Sequence, residues 1–181
     1  METEKFIVYA CPTGELCQQI ETYYQISQTT CGQNLAHQYM PHCSLTGFFE
    51  ASSRDIPLFI DTLNQAYQQQ QDKNKSLSLQ VLSLIFKPEW QGLELEGKAV
   101  KNLIYDFIQK IDKSNLTVKI RPKDWLHLSL AYGFKPQHHL TLKQLAQEYV
   151  NPQTPTEWEL RFYQYYGNGK WTCHSTWSLS T

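Results

Sequence analysis

His42-Cys43-Ser44-Leu45-Thr46-Gly47-Phe48-Phe49 and His127-Leu128-Ser129-Leu130-Ala131-Tyr132-Gly133-Phe134 are two copies of one pattern. Aligned without gaps, they share His, Ser, Leu and the final Phe, four identities in eight positions, 85 residues apart in a chain of 181. Both are rich in aromatic and apolar residues and read as β-strands. Side chains alternate between the faces of a strand, so residues i and i+2 point the same way. Each copy therefore presents an imidazole and a hydroxyl on one face, with Leu45 or Leu130 on the other. A chain that builds this pair twice is expected to bring the copies together. Two imidazoles flanking one reacting centre act as general base and general acid in a single reaction. The hydroxyls of Ser44 and Ser129 then donate hydrogen bonds to an anion held between them.

Other residues with chemical potential have plainer readings. His174-Ser175-Thr176 lacks the following Leu and the aromatic close, and it reads as a polar strand residue. His138-His139 precedes a helical pattern without further ligands at metal-binding spacing, so it reads as a solvated helix start. Cys43 lies between His42 and Ser44, and alternation turns it away from them. Tyr132 is odd-spaced from His127 and is expected to face the core. Lys87, Arg121 and Lys123 lie near strand ends and are candidates for phosphate or sugar contacts, with solvated surface charge as the simpler reading. Gly92 and Gly97 show no phosphate-loop pattern.

Composition narrows the function classes. Hydrophobic residues make up 41% and charged residues 18%, and formal net charge is −1. That is an ordinary globular balance with ample apolar sequence for a core. No global basic field suits long duplex nucleic acid, so any polyanion contact must be local. Five cysteines, an odd number with no C-x-x-C pair, favour reduced thiols over a disulfide framework or structural zinc. The first residues show no basic region followed by an apolar stretch, and no apolar run approaches the roughly 18 residues of a membrane span. A cytoplasmic, monomeric protein without membrane contact is the expectation.

The elements that must position the motifs follow from periodicity. Residues 6–10 form an apolar run suited to a buried strand, and a helical pattern follows to about residue 24. A loop over 34–41 delivers the first motif. Ser52-Ser53-Arg54-Asp55 and Pro57 start an amphipathic helix through Tyr67, with Gln68–Gln71 as its fraying end. A strand over 76–86, a turn over 88–92 and a strand over 93–97 precede a helix over 99–111. The second motif strand covers 125–134, and a helix follows over 140–150. Two closing strands around 158–166 and 171–179 are joined by Gly167-Asn168-Gly169, a hairpin signal. Their Trp and Tyr residues read as core and cross-strand pairs rather than a base-stacking platform. The order describes an α+β chain of two related lobes, each an antiparallel sheet backed by helices. No linker divides it, so 1–181 is expected to be one bilobal domain.

With these residues in view, the chain resembles the 2H phosphoesterase superfamily, whose members carry two His-x-Ser/Thr motifs, one per lobe, facing each other across a central groove. The C-terminal aromatic strands look closest to the phosphoesterase-like domain of the ubiquitin-associated and SH3-domain proteins. The resemblance implies a bilobal fold with helices outside and a central groove, His42 and His127 as catalytic residues, and Ser44 and Ser129 as phosphate-binding residues. It implies metal-independent cleavage, without a cofactor, of a 2′,3′-cyclic phosphate or a related nucleotide or RNA-terminus phosphodiester. Both motifs carry Ser where many members carry Thr; Ser supplies the hydroxyl but has no methyl group to restrict its rotamer. The rival reading is a non-catalytic module that captures a nucleotide or a protein in the same groove.

Overall fold

The computed structural model describes residues 4–73 and 76–179. Strand β1 (Glu4–Pro12) lies at its centre and is paired on both sides. Phe6, Val8 and Ala10 face one layer and Ile7, Tyr9 and Cys11 the other, and all six are buried. Burial on both faces is why this stretch is continuously apolar rather than alternating.

The remaining elements are helix α1 (Gly14–Cys31), strands β2 (Cys43–Ser44) and β3 (Phe49–Ala51), and helix α2 (Ile56–Asp72). Then come β4 (Gln80–Lys87), β5 (Trp90–Glu96), α3 (Lys98–Asp112), β6 (Leu126–Tyr132), α4 (His139–Tyr149), β7 (Trp158–Gly167) and β8 (Lys170–Leu179). All pairings are antiparallel, in the order β4-β5-β6-β2-β1-β7-β8, with β3 also paired to β1. The two lobes are thus β4-β5-β6 and the group around β1, β7 and β8, which meet where β2 pairs β6 through Cys43 and Leu128. The closing hairpin turns as its sequence signals, with positive φ at Gly167, Asn168 and Gly169.

All four helices pack on one side of this joined sheet. Helix α3 shows why: Val100, Leu103, Ile104, Phe107, Ile108 and Ile111 recur at helical spacing and all are buried. Helix α2 packs on α3 and reaches β8, and α1 packs on α4 and β6. Phe6, Phe49, Phe59 and Phe162 interlock beneath them, with ring centroids 5.3 Å apart for Phe49–Phe59 and 5.6 Å for Phe6–Phe162. The opposite face carries only a small apolar cluster of Ile7, Tyr9, Cys11 and Tyr163, and it is this face that stays open for a site. No helix among the described residues is long and apolar enough to cross a membrane.

Three expectations need correction. The first motif is not one continuous strand: Leu45 and Thr46 both donate backbone N–H to the Val8 carbonyl, and Gly47 donates to Arg121. Thr46 meets Pro122 only in an isolated bridge, and Pro122 has no N–H with which to extend a ladder. The Gln68–Gln71 run is firm helix, because Gln70 is buried and donates to Asp106 of α3. Strand β5 starts at Trp90 rather than Leu93, since the hairpin closes at Lys87 opposite Trp90.

Candidate active site

The Cys43–Leu128 pairing fixes the register of the motif strands. Counting outward along antiparallel strands places His42 opposite Ser129 and Ser44 opposite His127. Cys43 and Leu128 are fully buried towards the helices, so all four motif side chains lie on the open face. The result is a square with imidazoles on one diagonal and hydroxyls on the other. Opposed side chains stand about 4.5–5.5 Å apart at Cβ and diagonal ones about 7–8 Å, which leaves room for one tetrahedral anion between the rings. A cavity of about 240 Å³ lies over the square, lined by all four motif residues together with Tyr24, Ala36, Tyr39, Trp90 and Tyr132. A second, of about 200 Å³, shares His42, Ser44, Tyr39 and Tyr132 with it and adds Phe48 and Lys123.

Each imidazole is held in the same way. His42 Nδ1 is 2.7 Å from the Met40 carbonyl, and His127 Nδ1 is 3.2 Å from the Trp125 carbonyl. A carbonyl only accepts, so Nδ1 carries the proton in both rings and Nε2 is left to exchange one. Each ring also stacks on a neighbouring aromatic: His42 on Tyr9 at 4.0 Å between centroids, His127 on Trp125 at 4.1 Å. Hydrogen bond and stack together fix orientation at both ends of the diagonal.

Their protonation differs. Burial, helped by the charge of His127 and opposed by the Met40 carbonyl, pulls His42 down from 6.5 to about 4. His127 is also lowered by burial, opposed by the Trp125 carbonyl, with Lys123 and Lys87 pushing in the same direction as burial. Burial disfavours the imidazolium in both, and most strongly in His42. Cys43, beneath the square, is pushed up to about 12 by burial and is no nucleophile at neutral pH.

The other candidates sort cleanly. His174 packs against Phe6 and Phe162 and bonds Gln164, away from the cavity. His139 starts α4 and pins it to the sheet through Gln91 of β5. Lys123 lines the second cavity; Lys87 sits 4.4 Å over the Trp125 ring; Arg121 meets the motif loop through its backbone carbonyl. Trp171 packs against Tyr9, Tyr39 and Phe48, so the C-terminal aromatics do form cross-strand and core contacts, some of them beside His42.

Tyr132 is a correction, because it lines both cavities instead of the core. A bulge explains it: Gln91 pairs Ala131 while Gly92 pairs Ser129, so β6 carries an extra residue there and parity inverts beyond it. Sequence reasoning also missed Tyr39, Tyr24 and Trp90. The signal for Trp90 was its place in the hairpin partner of the second motif, two residues from Gly92.

No protein-family model matches the sequence. The chain is 29% identical over 167 residues to the ecdysteroid-phosphate phosphatase of Bombyx mori, covering 90% of this chain and 24% of that protein. It is 32% identical over 149 residues to the ubiquitin-associated and SH3 domain-containing protein B of Mus musculus, covering 79% of this chain and 23% of that protein. The chain therefore spans about a quarter of the length of these curated relatives. Among solved structures, E. coli LigT matches in its apo form with a TM-score of 0.55 and 13% identity over the whole of both chains. LigT complexed with ATP gives 0.57 and 14%, covering 99% of this chain and all of that one. At this identity the structural likeness establishes the fold, which is the LigT-like 2H phosphoesterase fold.

Proposed function

We propose that this chain, 2H phosphoesterase-like in fold and in motif, is a phosphodiesterase that opens a 2′,3′-cyclic phosphate or a related nucleotide or RNA-terminus phosphodiester. The observation that carries the reading is the Cys43–Leu128 register, which sets two imidazoles and two hydroxyls around one cavity. His42, the harder ring to protonate, serves as general base at Nε2 and takes a proton from the attacking water. His127, more easily protonated, gives its Nε2 proton to the leaving ribose oxygen. Water oxygen bonds phosphorus as the ribose oxygen departs, and the product is a phosphate monoester with one proton moved from His127 to product and one gained by His42. Ser44 and Ser129 donate to the non-bridging oxygens, and Lys123 adds positive charge at the rim. The acid–base work falls to side chains of the chain itself. The nucleotide reading is supported by the shape of the site and by LigT, whose structures hold ATP and 3′-AMP.

The test is a panel of 2′,3′-cyclic nucleotides and cyclic-phosphate RNA ends, incubated in EDTA and followed by phosphorus NMR. Monoester product that disappears in His42→Ala and His127→Ala is the expected result. Absence of turnover across the panel, or unchanged turnover in both variants, refutes the assignment. Tight nucleotide binding without product supports the binding-module reading instead.

A further inference from the structure

We propose that Trp90 is a positioning residue that sets the direction of the Ser129 hydroxyl, an inference that rests on the phosphodiesterase reading above. The indole N–H only donates, and Trp90 Nε1 lies 2.8 Å from Ser129 Oγ. The oxygen is thereby occupied as an acceptor, so the hydroxyl must turn its own proton away from the indole. The open side is the cavity that Trp90 and Ser129 line with both imidazoles. Ser129 thus enters the reaction as a donor already aimed at the anion.

Three further contacts make the arrangement a built one. Tyr24 donates its hydroxyl to the Ser129 carbonyl at 2.8 Å and holds the backbone beneath the side chain. The indole is braced by Trp125 at 5.0 Å and by His127 edge to face at 5.2 Å, so it cannot swing without moving the ring stack. Gly92 clears the space: a Cβ there would come within 2.5 Å of Trp90 Cζ2 and 2.2 Å of the Leu128 carbonyl. Only glycine lets the indole lie across β5 onto the motif strand. No comparable donor reaches Ser44 Oγ among the described residues, so the two hydroxyls are unequally prepared. In the β4-β5-β6 lobe the indole supplies the rotamer restriction that a threonine methyl would otherwise provide. A donor fixed before substrate arrives needs no reorganisation as charge develops.

The experiment measures kcat and KM for 2′,3′-cyclic AMP in the wild type, W90F, S129A and the double variant, each across pH. W90F should lower kcat between about twofold and tenfold, the scale of one neutral hydrogen bond, with KM little changed. In the S129A background the same substitution should cost nothing, and the pH limbs should stay at their wild-type positions. An equal W90F penalty with and without the Ser129 oxygen overturns the proposal, as does a displaced limb, because either marks a Trp90 that merely packs on His127. Where W90F fails to fold, benzothienylalanine at position 90 removes the N–H within nearly the same outline and gives the same two outcomes. A wild type inactive on every diester overturns the phosphodiesterase reading and the positioning role with it. An active wild type with additive penalties overturns the positioning role alone.

Discussion

Varying pH is the most direct probe of the imidazole pair, because the two rings are lowered by different surroundings. His42 sits near 4, through burial and the charge of His127, and His127 lies below its ordinary 6.5. The base must be neutral and the acid protonated, so kcat/KM for the free enzyme should rise through about 4 and fall again as His127 loses its proton below 6.5. The maximum therefore lies in the acidic range, and above it kcat/KM should drop about tenfold per pH unit, as loss of one proton requires. The mutual repulsion of the rings keeps the pair in its singly protonated state across the window, and the two limbs belong to the pair as a whole. The profile of kcat should move upward, because a bound phosphate stabilises both imidazolium forms. Lys123→Met should shift the basic limb of kcat/KM towards higher pH, since Lys123 is the foremost charge lowering His127. The assay is initial rates on a cyclic nucleotide in constant-ionic-strength buffers from about pH 3 to 9, so that both limbs are sampled. A flat kcat/KM extending past neutrality, or a Lys123→Met profile displaced to lower pH, refutes the argument.

Other outcomes follow from the same geometry. Each of His42→Ala and His127→Ala should lower kcat by about 10²–10⁴-fold with the circular dichroism unchanged, and the double variant should fall by less than the product because the rings act as a unit. Gly92→Ala should destabilise by about 1–3 kcal/mol through overpacking, read from the denaturant midpoint; a replacement tolerated without clash would instead stabilise. His42 links stability to pH with a definite sign. Its folded pKa is depressed, so its contribution is complete above 6.5 and lost as pH falls towards about 4. The loss is at most about 3 kcal/mol, less because one edge of the ring meets the cavity, and His42→Gln should flatten that part of the stability curve.

The helical and strand periodicities were legible where burial is one-sided. Helix α3 is an example, its apolar stripe matching its buried face, and the Gly167–Gly169 turn is another. Legibility failed where a distant partner overrode local pattern. Gln70 reads as a polar helix end, yet Asp106 across the α2–α3 contact gives its amide a buried partner. Residues 45–48 read as strand, yet the Val8 carbonyl draws two successive N–H groups and the ladder stops.

By itself the sequence determined that an imidazole and a hydroxyl recur together twice and which face they share, because strand alternation is a local property of bonded neighbours. It placed His42 with Ser44 and His127 with Ser129, each pair backed by a buried Cys43 or Leu128. Only the tertiary structure decided that the pairs meet in one register, that a bulge turns Tyr132 towards them, that Trp90 reaches Ser129, and that His42 loses more of its basicity than His127. Those depend on contacts between segments distant along the chain and on the water they exclude, and desolvation is a property of the assembled surroundings rather than of any residue in it.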